Sequence, residues 1–145
     1  MHGQRSVLVV DSNPSDLSNT VLLLQTAGYQ VAAATAFDEA KQLLASQSPD
    51  LLITGLRLGP YNGLHLILRS RTDHPAMAAI VISPFPDSVL EAEAQRQNAG
   101  YLLRPLADGD FLHAVKRSLN NHGRLHAVPN ISPSSASPSA VDSAT

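Results

Sequence analysis

Three side chains that could do chemistry stand at the ends of apolar runs. Asp11 ends the run SVLVVD, Ser83 ends AAIVIS, and Arg104 ends YLLR. A similar run, DLLITG, ends on Gly55, which has no side chain to offer. A guanidinium attracts an anion or a carboxylate, whereas one carboxylate alone cannot serve as both acid and base in catalysis. The sequence also contains no recognisable Ser/His/Asp set, so we predict a protein that is not an enzyme.

The elements that position these residues alternate regularly along the chain. Each predicted strand is a short apolar run followed by a helical pattern, and the first helix has Asn13 as its N-cap, Pro14 in its first turn and Gly28 at its end. Five strands alternating with five helices predict an α/β fold, a doubly wound five-stranded parallel sheet flanked by five helices. Ligands of such sheets bind beyond the carboxyl ends of the strands, so the four strand-end residues are expected around one pocket. The predicted strands span residues 6–11, 29–35, 50–55, 78–83 and 101–104.

Composition limits the classes of function. The chain has 145 residues, of which 43% are apolar and 15% charged, as suits one globular domain. A net charge of −2 argues against direct electrostatic binding of nucleic acid or of an anionic membrane. The run VLVV is too short for a signal peptide or a membrane span, and the lack of cysteine suits a reducing cytosol, so we expect a cytoplasmic protein. We assign the domain to residues 1–122 and a Ser/Pro-rich flexible tail or linker to 123–145.

Four segments resemble the receiver domain of bacterial two-component response regulators. They read VLVVDSNP, PDLLITGLRLGPYNGL, AIVISP and AGYLLRPL, and their order and spacing fit that family from about residue 7 to residue 121. The resemblance implies the flavodoxin-like receiver fold. It also implies a site in which two acids after the first strand bind magnesium and an Asp ending the third strand accepts a phosphoryl group. In the family, a Ser or Thr ending the fourth strand and a Lys ending the fifth contact that group.

The family's positions for metal and phosphoryl chemistry are only partly filled. Asp11 matches the first acid, but Ser12 stands at the second acidic position and Gly55 at the phosphoacceptor position. An acyl phosphate requires a carboxylate nucleophile, which Gly55 cannot supply. In the family, the backbone N–H after the Ser or Thr also holds the phosphoryl oxygens, and here that residue is Pro84, which has no N–H. The resemblance is therefore to a degenerate receiver, or pseudo-receiver, with magnesium binding weak or absent and no other cofactor.

The family's switch positions are better matched. Ser83 matches the hydroxyl residue, Tyr101 matches the aromatic switch residue, and Arg104 replaces the Lys. Pro105 follows, which in the family comes after a cis peptide bond. Arginine reaches farther than lysine and keeps its charge, and a shielded carboxylate favours a cationic partner. We therefore predict that Arg104 leans across the vacated site toward Asp11, directly or through a water.

Some of these residues have a second interpretation. Asp11 could cap the first helix, Arg104 could be a solvated surface residue, and Gly55 could mark a tight turn. Thr54 is a candidate substitute acceptor, but strand alternation directs its side chain away from the pocket.

We predict a phosphorylation-independent protein-interaction module in bacterial signal transduction or transcription regulation. Its partner would be a histidine kinase, an output regulator or a second copy of the chain, because the family uses the fourth helix, fifth strand and fifth helix for such contacts. Two alternatives stay open: a receiver-like sensor that binds a small anion or nucleotide in the vacated pocket, and a receiver phosphorylated at a non-standard residue. The predicted contact surface mixes apolar and charged residues. It contains Val89, Leu90, Glu91, Tyr101, Leu112 and Lys116.

Overall fold

Strands and helices alternate through the part of the chain that the structure describes. The computed structural model describes the backbone of residues 4–127 and the side chains of residues 4–120. The elements are β1 (Ser6–Val10), α1 (Pro14–Thr26), β2 (Gln30–Ala34), α2 (Phe37–Ser46), β3 (Leu51–Gly55), β4 (Arg57–Leu58), β5 (Tyr61–Asn62), α3 (Gly63–Asp73), β6 (Ala78–Ser83), α4 (Ser88–Arg96), β7 (Gly100–Leu103) and α5 (Asp108–Ala127).

The main sheet confirms the predicted doubly wound architecture. Five parallel strands lie in the order β2-β1-β3-β6-β7, so the chain reverses direction across the sheet between β1 and β3. Each strand lies within one residue of its predicted bounds. Asp11 and Arg104 accordingly follow β1 and β7 rather than belonging to them. The reversal point is where ligands of such sheets bind, and Asp11 and Gly55 border it.

Two apolar layers cover the sheet because successive strand residues point to opposite faces. On β1, Leu8 and Val10 belong to the layer shared with α2, α3 and α4, while Val7 and Val9 belong to the layer shared with α1 and α5. All four side chains are at most 2% exposed. Burying a side chain of this size contributes roughly 1.5–3 kcal/mol, which explains why continuous apolar runs form the central strands.

A small hairpin interrupts the segment between β3 and α3, which the sequence pattern treats as a loop. β4 and β5 pair antiparallel around a turn in which Gly59 has a φ of +65°. Leu58 is buried, and the ring of Tyr61 stacks on Phe37 of α2 with 4.4 Å between ring centroids. The loop beside Gly55 is therefore fixed against the body of the domain.

The last helix passes the predicted domain boundary. α5 continues to Ala127, five residues beyond residue 122, and the rest of the predicted tail lies outside the described residues. Within those described residues, none of the helices combines the length and the apolar character needed to cross a membrane.

Candidate functional site

The carboxylate of Asp11, which follows β1, accepts hydrogen bonds from two different residues. Its Oδ1 accepts a hydrogen bond from the backbone N–H of Asn13 at 2.9 Å, and its Oδ2 accepts one from Nη2 of Arg104 at 2.8 Å. Its side chain is only 13% exposed. The cap of α1 is Asn13, whose side chain accepts from the N–H of Asp16 at 3.0 Å, so Asp11 holds the cap residue and does not cap the helix itself.

Arg104 makes the contact that its reach and charge predict. Its side chain is 33% exposed, and its Nη1 lies 4.0 Å from Oδ1 of Asp16, so two carboxylates surround one guanidinium. Its backbone N–H donates to the carbonyl of Ser83 at 3.0 Å, and the peptide bond to Pro105 is cis, as the resemblance implies. The side chain of Arg104 is thus partly solvated but paired, and its contact joins the ends of β7 and β1, which are not neighbours in the sheet.

Gly55 contributes no side chain beside this ion pair, although a Cβ would fit there. A Cβ built on Gly55 would lie 3.8 Å from Cγ and Oδ1 of Asp11, which is ordinary van der Waals contact. Its φ is not in the positive region, unlike that of Gly59. The tight-turn interpretation of Gly55 is therefore not supported, since nothing in the backbone or packing demands a glycine there.

Two neighbouring hydroxyls are directed away from this space. Ser12 donates from its Oγ to the carbonyl of Arg57 in the hairpin at 3.3 Å. Thr54 is fully buried, and its Oγ1 donates to the carbonyl of Gly55 at 2.9 Å, in agreement with the predicted direction of its side chain. We call Asp11, Ser12, Gly55 and Arg104 the acidic pocket.

Two further hydroxyls meet at one backbone carbonyl. Ser83, which is fully buried, donates to the carbonyl of Phe85 at 2.7 Å and accepts from the N–H of Phe85 at 3.3 Å. Tyr101 donates from its phenol to the same carbonyl at 3.1 Å. We call Ser83, Phe85 and Tyr101 the latch. The sequence matches Ser83 and Tyr101 to switch positions but does not predict that Phe85 receives both hydrogen bonds.

Helix α4 is held at both of its ends. Asp87 caps its first turn by accepting from the N–H groups of Val89 and Leu90 at 3.0 and 3.1 Å. Arg71 of α3 donates to the carbonyl of Gln97, the residue that ends the helix. Burial lowers the pKa of Arg71. The helix is therefore fixed between the latch region and α3.

Only some of the residues predicted for the partner surface are well exposed. Leu90 and Leu112 are half-buried and pack against the two apolar layers, so they are less available than predicted. Val89 of α4 is 72% exposed, and Phe85, in the segment between β6 and α4, and Leu103, at the end of β7, are 36% and 40% exposed. We call Phe85, Val89 and Leu103 the exposed apolar group. Neither Phe85 nor Leu103 stands out in the sequence, because an apolar residue in a short strand or loop carries no sign of its exposure.

The acidic pocket offers few of the ligands that a magnesium ion needs. Magnesium requires an octahedron of oxygen ligands, usually with one or two carboxylates. The carboxylate of Asp11 lies 3.8 Å from a Cβ built on Gly55, and its Oδ2 already binds a guanidinium. Across the described part of the chain, no group of three or more His, Cys, Asp or Glu residues is arranged to hold a metal.

Sequence comparison relates the chain to transcriptional regulators. Residues 7–116 match the family described as response regulator receiver domain. The alginate biosynthesis transcriptional regulatory protein AlgB of Pseudomonas aeruginosa is 29% identical over 119 residues, covering 80% of this chain and 26% of the relative. The transcriptional regulatory protein GlrR of Escherichia coli K12 is 30% identical over 121 residues, covering 81% of this chain and 27% of the relative. The chain thus spans about a quarter of the length of these curated relatives.

Solved structures show the same fold. A CheY-like response regulator receiver domain protein from Methanospirillum hungatei superposes with a TM-score of 0.78 at 20% identity, over 83% of this chain and 98% of that one. The signal receiver domain of an HD domain-containing protein from Pseudomonas fluorescens Pf-5 gives 0.77 at 29% identity, with the same coverage.

Proposed function

The chain belongs to the response regulator receiver domain family, and from that premise we propose that it is a receiver that works without phosphorylation. In this proposal it is a protein-interaction module in bacterial signalling and transcription regulation. The observation that carries the proposal is the pairing of Arg104 with Asp11 beside the side-chain-free Gly55.

The chemistry of the acidic pocket supports this proposal. Phosphoryl transfer to a receiver forms an acyl phosphate and needs a carboxylate, which Gly55 does not supply. A metal that would neutralise the phosphoryl oxygens needs free carboxylate oxygens, and Arg104 uses one of the two on Asp11. Pro84, which follows Ser83, offers no N–H to those oxygens.

The alternative acceptors have little support. Thr54 and Ser83 are both fully buried, and each hydroxyl donates to a backbone carbonyl. A phosphodonor could reach neither without opening the domain. A small anion in the acidic pocket also lacks support, because the guanidinium of Arg104 is already close to the carboxylates of Asp11 and Asp16.

The hydrogen bonds of the latch support the proposed position of the partner surface. The latch holds the segment after β6, and Arg71 holds the far end of α4, so the exposed apolar group keeps one arrangement without a covalent signal. Glu91 and Lys116 add charges to the surface built by α4, β7 and α5. We propose that a kinase, an output regulator or a second copy of the chain binds there.

The absence of phosphorylation is tested by intact mass. The purified chain is incubated with acetyl phosphate and magnesium beside a phosphorylatable receiver as positive control. We expect the control to gain one phosphoryl group and this chain to keep its mass. A stoichiometric gain on this chain would overturn the proposal.

The partner surface is tested with two matched substitutions, Val89→Glu on α4 and Leu22→Glu on α1. Both residues are well exposed, at 72% and 65%, so neither change should affect folding. Self-association at high concentration, measured by sedimentation equilibrium, should weaken in V89E and persist in L22E. Loss in L22E alone would assign self-association to a different face.

A further inference from the structure

A cleft of about 510 Å³ lies beside the acidic pocket, on the side of the sheet covered by α1 and α5. Its volume is in the range of small-molecule sites, which is roughly 300–1,000 Å³. Leu23, Ile82 and Phe111 contribute apolar surface, and polar groups from both helices stand around them. An apolar lining with a few convergent polar groups is the usual composition of a ligand site.

The residues that line this cleft carry more negative than positive charge. Asp16 lines it from α1 and Asp108 from the start of α5, and Arg104 is the one cation among the lining residues. Arg104 is already paired with Asp11 at 2.8 Å and lies 4.0 Å from Asp16. Asp108 forms no ion pair with any residue that the structure describes. Two carboxylates and one guanidinium thus line the cleft, and that guanidinium is already paired with Asp11 outside the lining, so the cleft attracts a further cation and repels an anion.

A buried hydroxyl adds a directional group. Thr20 is only 9% exposed and lines the cleft one helical turn after Asp16. Hydroxyl groups in such positions fix the orientation of a ligand whose binding energy comes mainly from apolar contact.

We propose that this cleft binds a small organic cation, an ammonium or guanidinium group on an apolar body. The cationic group lies between Asp16 and Asp108, and the apolar body packs on Phe111 and Ile82. The proposal rests on the cleft alone and not on the loss of phosphorylation. Because Arg104 lines both the cleft and the acidic pocket, occupancy alters the environment of its contact with Asp11.

Three probes with one aromatic body test the charge preference: 2-phenylethylammonium, 2-phenylethanol and 3-phenylpropionate. Each is titrated into the isotope-labelled full chain and followed by amide and methyl chemical shifts. We expect saturable shifts at Thr20, Ile82 and Phe111 with the ammonium, binding at least about tenfold weaker with the alcohol, and no saturation with the carboxylate. Equal affinity for all three, or no saturable shift at these residues, would overturn the proposal.

Substitutions test which carboxylates hold the cation. D16N and D108N are each expected to weaken binding of 2-phenylethylammonium by about three- to tenfold, and D73N serves as the matched control. Asp73 is an exposed acid at the end of α3 and does not line this cleft. Melting temperatures of the three variants check that the fold is intact. Unchanged affinity in both D16N and D108N, or an equal loss in D73N, would contradict the assignment.

Discussion

The acidic pocket and the latch lie at the same edge of the sheet, but they have opposite characters. In the acidic pocket the position beside Asp11 carries no side chain, and the remaining acid is neutralised by Arg104. In the latch, both hydroxyls are present and both are satisfied by the carbonyl of Phe85. The acidic pocket has no side chain at Gly55, while each hydroxyl of the latch has a partner within the chain.

This difference separates the trigger of a switch from the parts that would respond to it. Hydrogen bonds inside the latch need no ligand in the pocket, because donors and acceptor all belong to the chain. The ion pair of Arg104 with Asp11 contributes little net stability, since desolvation offsets much of the attraction. In the proposed function its effect is on conformation, because the cation of Arg104 holds the ends of β7 and β1 together without a phosphoryl group.

The largest expected effect concerns Gly63, which stands next to Gly55 in space. A Cβ on Gly63 would overlap the carbonyl oxygen of Gly55, and it would lie 2.9 Å from Oγ1 of Thr54. Because rotation of a side chain cannot move a backbone carbonyl, we expect Gly63→Ala to lower the free energy of unfolding by about 2–3 kcal/mol in urea denaturation.

The matched control is Gly55→Ala in the acidic pocket. An added Cβ there meets nothing closer than 3.8 Å, so stability should stay within about 1 kcal/mol of the wild type. A large loss of stability in G55A would mean that the fold requires glycine at this position. The missing side chain in the acidic pocket would then have a structural explanation rather than a functional one.

The latch is expected to give the next largest effect. Ser83→Ala removes a fully buried hydroxyl that donates to the carbonyl of Phe85 and accepts from its N–H, and it should cost about 1–2 kcal/mol. Tyr101→Phe removes one of two donors to a shared carbonyl and should cost about 0.5–1 kcal/mol. Denaturation of both single variants and of the double variant measures their coupling. Strictly additive losses would show that the two hydroxyls do not act through Phe85 together.

A smaller effect is expected from the ion pair. Asp11→Asn keeps an acceptor for the N–H of Asn13, and Arg104→Gln keeps a polar side chain of similar size. A double-mutant cycle should give a coupling energy of roughly 0.5 kcal/mol or more. The coupling should shrink in about 1 M salt, where the screening length falls to about 3 Å. No coupling at low salt would remove Arg104 as the fixed partner of Asp11.

The sequence predicts the sheet and the ion pair for the same reason. Buried parallel strands need continuous apolar runs, and their ends bring Asp11 and Arg104, one acid and one base, to one edge. The sequence could not predict that the carbonyl of Phe85 is the shared acceptor in the latch, because every residue has a backbone carbonyl. The hairpin of β4 and β5 was missed because strands of two residues are too short for a periodic pattern.

The smallest effect is expected for magnesium binding, which tests whether Arg104 keeps the metal out of the acidic pocket. If Arg104 excludes the metal by holding Oδ2 of Asp11, the wild-type chain should show no saturable amide shift at Asp11 or Ser12 at about 10 mM magnesium. Arg104→Gln frees that oxygen, and R104Q should then bind weakly. Lys116→Gln removes an equal charge from an exposed position on α5, so K116Q controls for net charge. Even a half-filled site adds only about 0.4 kcal/mol to the free energy of unfolding, so chemical shifts are the proper measure rather than melting temperature.

Two outcomes would contradict this prediction. Binding of magnesium gained equally in R104Q and K116Q would point to the net charge of the chain rather than to Arg104. Tight binding to the wild type would mean that the pocket contains a ligand for the metal besides Asp11, and the proposed replacement of the metal by Arg104 would fail.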